Sequence, residues 1–416
     1  MNTIQKIFFL ILLSQTVIYA QIEKEIPPPF NIKTISFVQN GVNVPPVFNL
    51  MESFQLQFDD LYGNEANYYY QITHCNYDWK PSDLSRNEYL NGFDDQRIQT
   101  YRNSFNTLQL YSHYTLPFPN KYTQLKVSGN YILKILNEDR EIVFTRRFIV
   151  YEDFVAVPMQ VKRARNNAYY NTKQNLDFSV KSKTIVFQNP LQNVKVLLIQ
   201  NGQLNNSITN IRPMYTIGND LVYKYDEETQ FWGGNEYLNF DNKNIKFPYN
   251  SISYVDSKDI YNAHLYTNEA RANKAYTYFP DTNGNFVVNN LNSQDNEVEA
   301  DYAWIFFSLS APSHFGKKDI YVTGMFNNNA LIPEYKLDFN PKTNLYEKAI
   351  LIKQGFCNYK YTLADSNGRI DNENDLDGNF WQTENIYTAL IYYRENGKRY
   401  DRIIGKGNAS SVNIIY

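Results

Sequence analysis

Along most of the chain, hydrophobic residues recur at every second position, the spacing of strands that bury one face. Between Thr34 and Tyr151 such runs occupy 54–58 (FQLQF), 68–72 (YYYQI), 108–111 (LQLY), 131–135 (YILKI) and 142–148 (IVFTRRF). Period-two patterning over about a hundred residues predicts a β-sandwich. The prolines of 27–29 read as an extended leader, and 117–120 (PFPN) as a loop. A second series follows the junction at 153–158: 176–180 (LDFSV), 194–199 (VKVLLI), 221–225 (LVYKY), 252–255 (ISYV) and 275–279 (AYTYF). The acidic, Asn-rich stretch from Asn289 to Asp301 reads as a second boundary. A third series then runs through 304–309 (WIFFSL), 320–322 (IYV), 346–352, 359–363 (YKYTL) and 388–393 (TALIYY). No segment longer than a turn or two has helical spacing. The expected fold is all-β, with tandem Ig-like, early-set β-sandwich domains: an N-terminal sandwich over 21–152, a middle β domain over 153–300 and a C-terminal early-set sandwich over 301–416.

Composition supports this: 36 Tyr and 27 Phe in 416 residues suit strands, and 43% hydrophobic against 20% charged residues excludes disorder over most of the length. A formal net charge of -3 supplies no field that favours phosphate backbones. Residues 1–20 carry one cation, Lys6, before a seven-residue apolar run and end at Tyr19-Ala20, the pattern of a secretory signal peptide too short to span a bilayer. Export to the periplasm is therefore expected. Cys75 and Cys357, the sole cysteines, are either two buried thiols or one bridge between distant domains. His74, His113, His264 and His314 stand singly, without the spacing that directs two imidazoles at one metal, and His113 reads as a backbone hydrogen-bonder. Hydrolase elbows, phosphate-binding loops and dinucleotide fingerprints are absent from the sequence.

One local pattern approaches a calcium loop: Glu373, Asp375 and Asp377 at alternate positions, Gly378 for the turn, and Glu384 as the terminal carboxylate. Its first position is Glu rather than Asp, and its flanks read as strands where helices belong, so a polar turn between strands is the competing reading. No other cofactor is expected. Residues 321–327 (YVTGMFN), Tyr346 and 355–361 (GFCNYKY) resemble the early-set sandwich of glycogen-binding modules, with Asn328 where a Trp usually follows. A periplasmic carbohydrate-binding protein is the alternative function this carries. A glycan-processing enzyme would need a carboxylate pair that the sequence does not locate.

Several strings taken together resemble a known family. They are Asp78-Trp79, 88–93 (EYLNGF), 104–107 (SFNT), His113-Tyr114, 128–133 (SGNYIL), 231–237 (FWGGNEY) with Phe240-Asp241, 281–286 (DTNGNF), 300–302 (ADY), 377–380 (DGNF) and 383–385 (TEN). Their number and order are similar to the type IX secretion system plug proteins of Bacteroidota, formerly a domain of unknown function, over essentially the whole chain after residue 20. Where that family usually has Arg after the Gly-Gly-Asn-Glu-aromatic string, this chain has Leu238 and Asn239. The resemblance implies a non-enzymatic periplasmic protein at the inner face of the outer membrane. Its partner would be the giant β-barrel translocon subunit of that system (SprA/Sov type), whose periplasmic opening it would occlude against leakage, with neither nucleic acid binding nor membrane insertion. Trp79, Tyr89, Phe93, Tyr131 and Phe240 are expected in cores, and Asp78, Asn106, Asn130 and Asp301 in turns and caps. Trp232 beside two glycines, Phe118 between prolines, and Tyr237 are the expected partner-binding anchors.

Overall fold

A computed structural model describes residues 22–312 and 315–414. The expected leader 1–20 and His314 lie outside the described residues. The protein is all-β: strands form six main sheets, and the α-helices among the described residues are four-residue turns.

The sheets pair into three sandwiches. In the first, Ile32–Gln39, Phe54–Asp60, Ser112–Phe118 and Thr100–Asn103 face Ile142–Tyr151, Gly129–Leu136 and Tyr69–Cys75. The alternation in 54–58 does what the pattern predicts. Phe54, Leu56 and Phe58 are opposite Phe118, Leu116 and Tyr114 in register, and all six are buried. Phe54 also stacks on Phe48 of the facing sheet, ring centroids 3.8 Å apart. Phe118 is thus a core residue at the end of a strand, not a loop anchor. The strand tolerates Pro117 because the neighbouring pairing ends at Thr115, so a missing N–H there removes no bond on that side.

Strand pairing cuts across the expected boundary at residue 300. The middle sandwich sets the sheet built on Met159–Arg163, Lys173–Val180 and Asp220–Tyr223 against Val194–Gln200, Ile386–Tyr393 and Arg402–Ser410. Its last two strands therefore come from the C-terminal end of the chain. The third sandwich lies between residues 238 and 365. Leu238–Asp241, Phe286–Val288, Lys318–Thr323 and Gly355–Asp365 face the sheet Ile252–Ser257, Tyr261–Leu265, Tyr302–Ser310 and Leu345–Lys353. The third module is an insertion within the second. Patterning marks 388–393 as a strand but carries no information about a partner nearly two hundred residues earlier.

The segment 289–301 is not a linker. Its one-turn helix Asn296–Glu299 presses against the first sandwich: the Phe105 N–H donates to the Val298 carbonyl at 2.9 Å, and the Tyr111 hydroxyl donates to the Ala300 carbonyl at 2.8 Å. Cys75 and Cys357 are buried and unpaired, each in a separate sandwich.

Candidate functional site

Three junctions join the sandwiches, and two of them bury charge. Between the first and third, Asp59 is fully buried and accepts from Lys353 Nζ at 2.7 Å, the Tyr302 hydroxyl at 2.6 Å and His113 Nδ1 at 2.6 Å. Burial alone would raise the Asp59 carboxyl; the Lys353 charge and the bonds from His113 and Lys353 outweigh it and hold the group below its usual range. Burial also pulls Lys353 down, but with the carboxylate in contact the pair stands as charged. The expectation that His113 bonds backbone is corrected: it serves a carboxylate. Around this centre, Lys33 pairs with Glu334 at 2.6 Å, Arg102 bridges to Asp295 and Glu297, and Asp301 accepts from the backbone of Leu108 and Gln109. Asp301 is therefore a cap, but one reaching across a module boundary.

Between the first and second sandwiches, an apolar cluster of Ile149, Leu197, Ile199, Leu390, Tyr392 and Ile403 is flanked by polar ties. Arg402 grips Glu152 through two nitrogens at 2.7 and 2.9 Å, and the Tyr392 hydroxyl donates to buried Asn130 at 2.7 Å. Ser128 receives the Ile403 N–H at 3.0 Å.

The third junction is built from the family-like strings. Gly233 lies so close to Phe380 that a Cβ would come within 2.1 Å of its carbonyl oxygen. The Phe380 N–H and the Thr383 hydroxyl both donate to the Gly234 carbonyl, at 2.9 and 2.8 Å, and Tyr237 takes Asp281 on its N–H at 2.6 Å. Gly284, at φ +87°, lets the 281–286 turn lie against the Tyr237 ring. Glu236 is buried here. One of its oxygens accepts from the Tyr276 hydroxyl and from the Glu384 N–H at 3.0 Å, and the other has no partner. Burial pushes its carboxyl up to about 7, against hydrogen bonds that pull it down.

The calcium-loop residues fall beside this junction and do not converge. Asp377 is spent on Arg271 at 2.8 Å. Asp375 accepts the Asp377 N–H at 2.8 Å and is pushed up to about 6, mainly by burial. Glu384 accepts from the Tyr278 hydroxyl at 3.2 Å, and Glu373 is exposed. Among the described residues no group of three or more His, Cys, Asp or Glu side chains is placed to hold a metal ion. The segment is a turn between strands in which Asp377 pairs with the buried Arg271. A dicarboxylate mechanism needs two acids flanking one accessible bond, whereas Glu236 is buried under a tyrosine and a backbone amide.

Of the expected anchors, Phe118 and Tyr237 are buried. Tyr237 turns its hydroxyl to Gln203, which donates to it at 2.6 Å. Trp232 is half-buried at the rim of the middle sandwich, with Lys173 4.3 Å above its ring and Tyr169 edge-on at 5.7 Å. Beside it Arg163 stacks on both Tyr170, at 3.5 Å, and Trp381, at 4.0 Å. Sequence reasoning missed Arg163, Tyr170, Lys173 and Trp381. Their shared signal, alternating cations and aromatics, is split between segments 200 residues apart. Phe93, expected in a core, is 71% exposed, whereas Tyr89, Tyr131 and Phe240 are buried as expected. On the outer face of the third sandwich Tyr254, His264 and Phe306 stack in a row, with centroids 4.0 and 4.2 Å apart. Both faces of the imidazole are covered by its neighbours.

The chain is similar to a solved protein of unassigned function. The crystal structure of a hypothetical protein from Parabacteroides merdae, at 2.30 Å resolution, superposes with a TM-score of 0.88 at 31% identity, covering 93% of this chain and 98% of that one. Residues 32–152 match the family model described as type 9 secretion system plug protein 1st domain. No curated protein matches.

Proposed function

The chain belongs to the type 9 secretion system plug protein family, whose first domain it carries over residues 32–152, and from that premise we propose that it is a stopper on the periplasmic side of the outer membrane, binding the giant β-barrel translocon and occluding its opening. The observation that carries this reading is the way three sandwiches are tied by buried junctions into one body. A stopper must keep its shape while one end is held. Independent modules on flexible linkers would yield, whereas the buried Asp59–Lys353 pair and the apolar cluster of Ile149, Leu390, Tyr392 and Ile403 resist relative movement. Reversible occlusion needs a limited set of aromatic and arginine contacts within a polar surface, and Trp232, Tyr170, Arg163 and Trp381 form such a set at one rim. In this reading no bond is made or broken by the protein, and nothing in the family description points to catalysis.

A carbohydrate-binding role is the weaker reading. Sugar recognition uses the free face of an aromatic ring, and in the row Tyr254–His264–Phe306 the central ring has both faces covered.

The test is capture. Tagged protein is expressed in its own host, the outer membrane is solubilised, and the retained partners are identified. Recovery of a giant barrel subunit, weakened by Trp232→Ala, together with entry of a large antibiotic on deletion only when the barrel is present, supports the proposal. Unchanged permeability on deletion, or retention on a glucan column with no barrel recovered, would overturn it.

A further inference from the structure

Where the three sandwiches meet, the molecule forms a half-open pocket of about 350 Å³. The first sandwich contributes Ile35 and Arg146, the second the loop at Gly202, the third Ile332 and Leu351, and residues of the 25–28 leader pass over it. Arg146 is on the strand Ile142–Tyr151, two residues from Phe144 and two from Phe148, so the alternation turns it to the inner face with those core side chains. It is 8% exposed.

Its bonding is incomplete. A guanidinium has five N–H donors and keeps its proton in proteins. Arg146 donates from Nη1 to its neighbour's carbonyl, Thr145 O, at 3.1 Å and lies 5.6 Å from the centroid of the Phe144 ring, and among the described residues no carboxylate lies within ion-pair distance. Of the other cations of the wall, Lys33 pairs with Glu334 and Lys353 with Asp59; Arg147, without a carboxylate in ion-pair distance among the described residues, donates to the Glu23 carbonyl, covers Trp79 and has its Nε buried without a partner. Glu25, the acid nearest at hand, accepts from the Arg147 N–H at 2.7 Å and from Asn328 at 2.9 Å. Burial lowers the Arg146 guanidinium from its ordinary value, with only distant help from Glu25 and Tyr335. Buried charges in proteins are paired, and here the chain does not supply the pair.

We propose that this cavity is a binding site for a monocarboxylate with an apolar tail, the carboxylate held by the two-pronged guanidinium of Arg146 and the tail lying against Phe286, Ile332 and Leu351. Planar bidentate contact with the Arg146 guanidinium favours a carboxylate, and Arg147 adds a second positive charge to the same wall. The volume is at the small end of ligand cavities, which span roughly 300–1,000 Å³. A free short-chain acid and the terminal carboxylate of a polypeptide present the same chemistry. The site stands whether or not the chain acts as a stopper.

Titration calorimetry on the full chain after residue 20 tests it, with octanoate and N-acetyl-leucyl-leucine as probes and octanol and the dipeptide amide as their neutral counterparts. The expected result is saturable binding of at least one carboxylate, at least tenfold tighter than its neutral counterpart and at least tenfold weaker in Arg146→Gln. Tighter binding of octanoate assigns the site to a free acid, and tighter binding of the dipeptide assigns it to a chain terminus. Ala330→Leu, which narrows the cavity and leaves Arg146 in place, is expected to weaken binding as well, so the test does not depend on Arg146→Gln folding. Absence of saturable binding at millimolar probe, equal affinity for the neutral counterparts, or unchanged binding in both variants would overturn the proposal.

Discussion

Replacing Lys353 by Met tests whether the first and third sandwiches are locked by charge. The ammonium is almost wholly buried and 2.7 Å from a carboxylate with no exposure at all. Met keeps the length and apolar volume of the lysine stem, so the variant removes charge and hydrogen bonds with little loss of packing. Breaking one partner of a buried pair costs about 3–5 kcal/mol, because the other charge is left without compensation. A second limit comes from protonation. Taking a carboxylic acid of ordinary pKa, about 3.9, to its neutral form costs about 4 kcal/mol at pH 7 and about 1.5 kcal/mol at pH 5. In the variant, Asp59 escapes the penalty by binding a proton, so its folded-state pKa rises above the unfolded value and stability falls as pH rises. In the parent the folded pKa is depressed, so the contribution is present above the unfolded value and lost only in stronger acid. The defect should therefore be about 3–4 kcal/mol at pH 7 and less than half that at pH 5. Urea unfolding followed by tryptophan fluorescence reads it, since Trp304 is beside this junction. Asp59→Asn combined with Lys353→Met should recover most of the loss. A defect under about 1 kcal/mol at pH 7, or one equal at both pH values, would refute the charge-locking account.

Glu236→Gln should remove a pH dependence: burial holds the folded carboxyl near 7, above its unfolded value, so the parent loses stability between about pH 4.5 and 7. Gln keeps the accepting oxygen, so above pH 7 the variant should be more stable by about 2–3 kcal/mol, read from denaturation midpoints across that range. Gly233→Ala should destabilise the junction of the second and third sandwiches by about 1–3 kcal/mol, since its Cβ meets the Phe380 carbonyl; faster proteolysis near residues 233 and 380 is the readout. Trp232→Ala should leave the thermal midpoint nearly unchanged while reducing capture of the translocon by about tenfold or more, the scale of an interface hot spot.

Local pairing was legible in the sequence, and closure was not. The runs at 54–58, 131–135 and 304–309 are strands because period-two alternation is a property of each segment alone, set by which face meets a core. Which sheet a strand joins depends on partners far away: 388–393 has the same pattern whether it completes the third sandwich or, as it does, the second. The candidate surface was half legible for the same reason. Trp232 stands out beside two glycines, but its neighbours Arg163 and Trp381 lie on either side of the inserted third module, and only the closure of the second module around that insertion brings their segments together. The aromatics that failed as anchors have a different lesson. Phe118 between prolines looks like a loop residue because proline cannot donate to a ladder, yet at an open edge no donor is required, and the side chain is free to complete the core.

The strings that carry the family likeness therefore have a common physical role. Ser128, Asn130 and Asp301 hold module boundaries, and 231–237, 281–286 and 377–385 meet at one of them. A core position tolerates any apolar side chain of suitable volume. A junction made of a glycine against a carbonyl, an asparagine satisfied on both sides and a carboxylate with three donors tolerates almost none. Contacts of this kind gather where the modules join, so a change of side chain there costs both a packing contact and a buried hydrogen bond, where a change in the core costs packing alone.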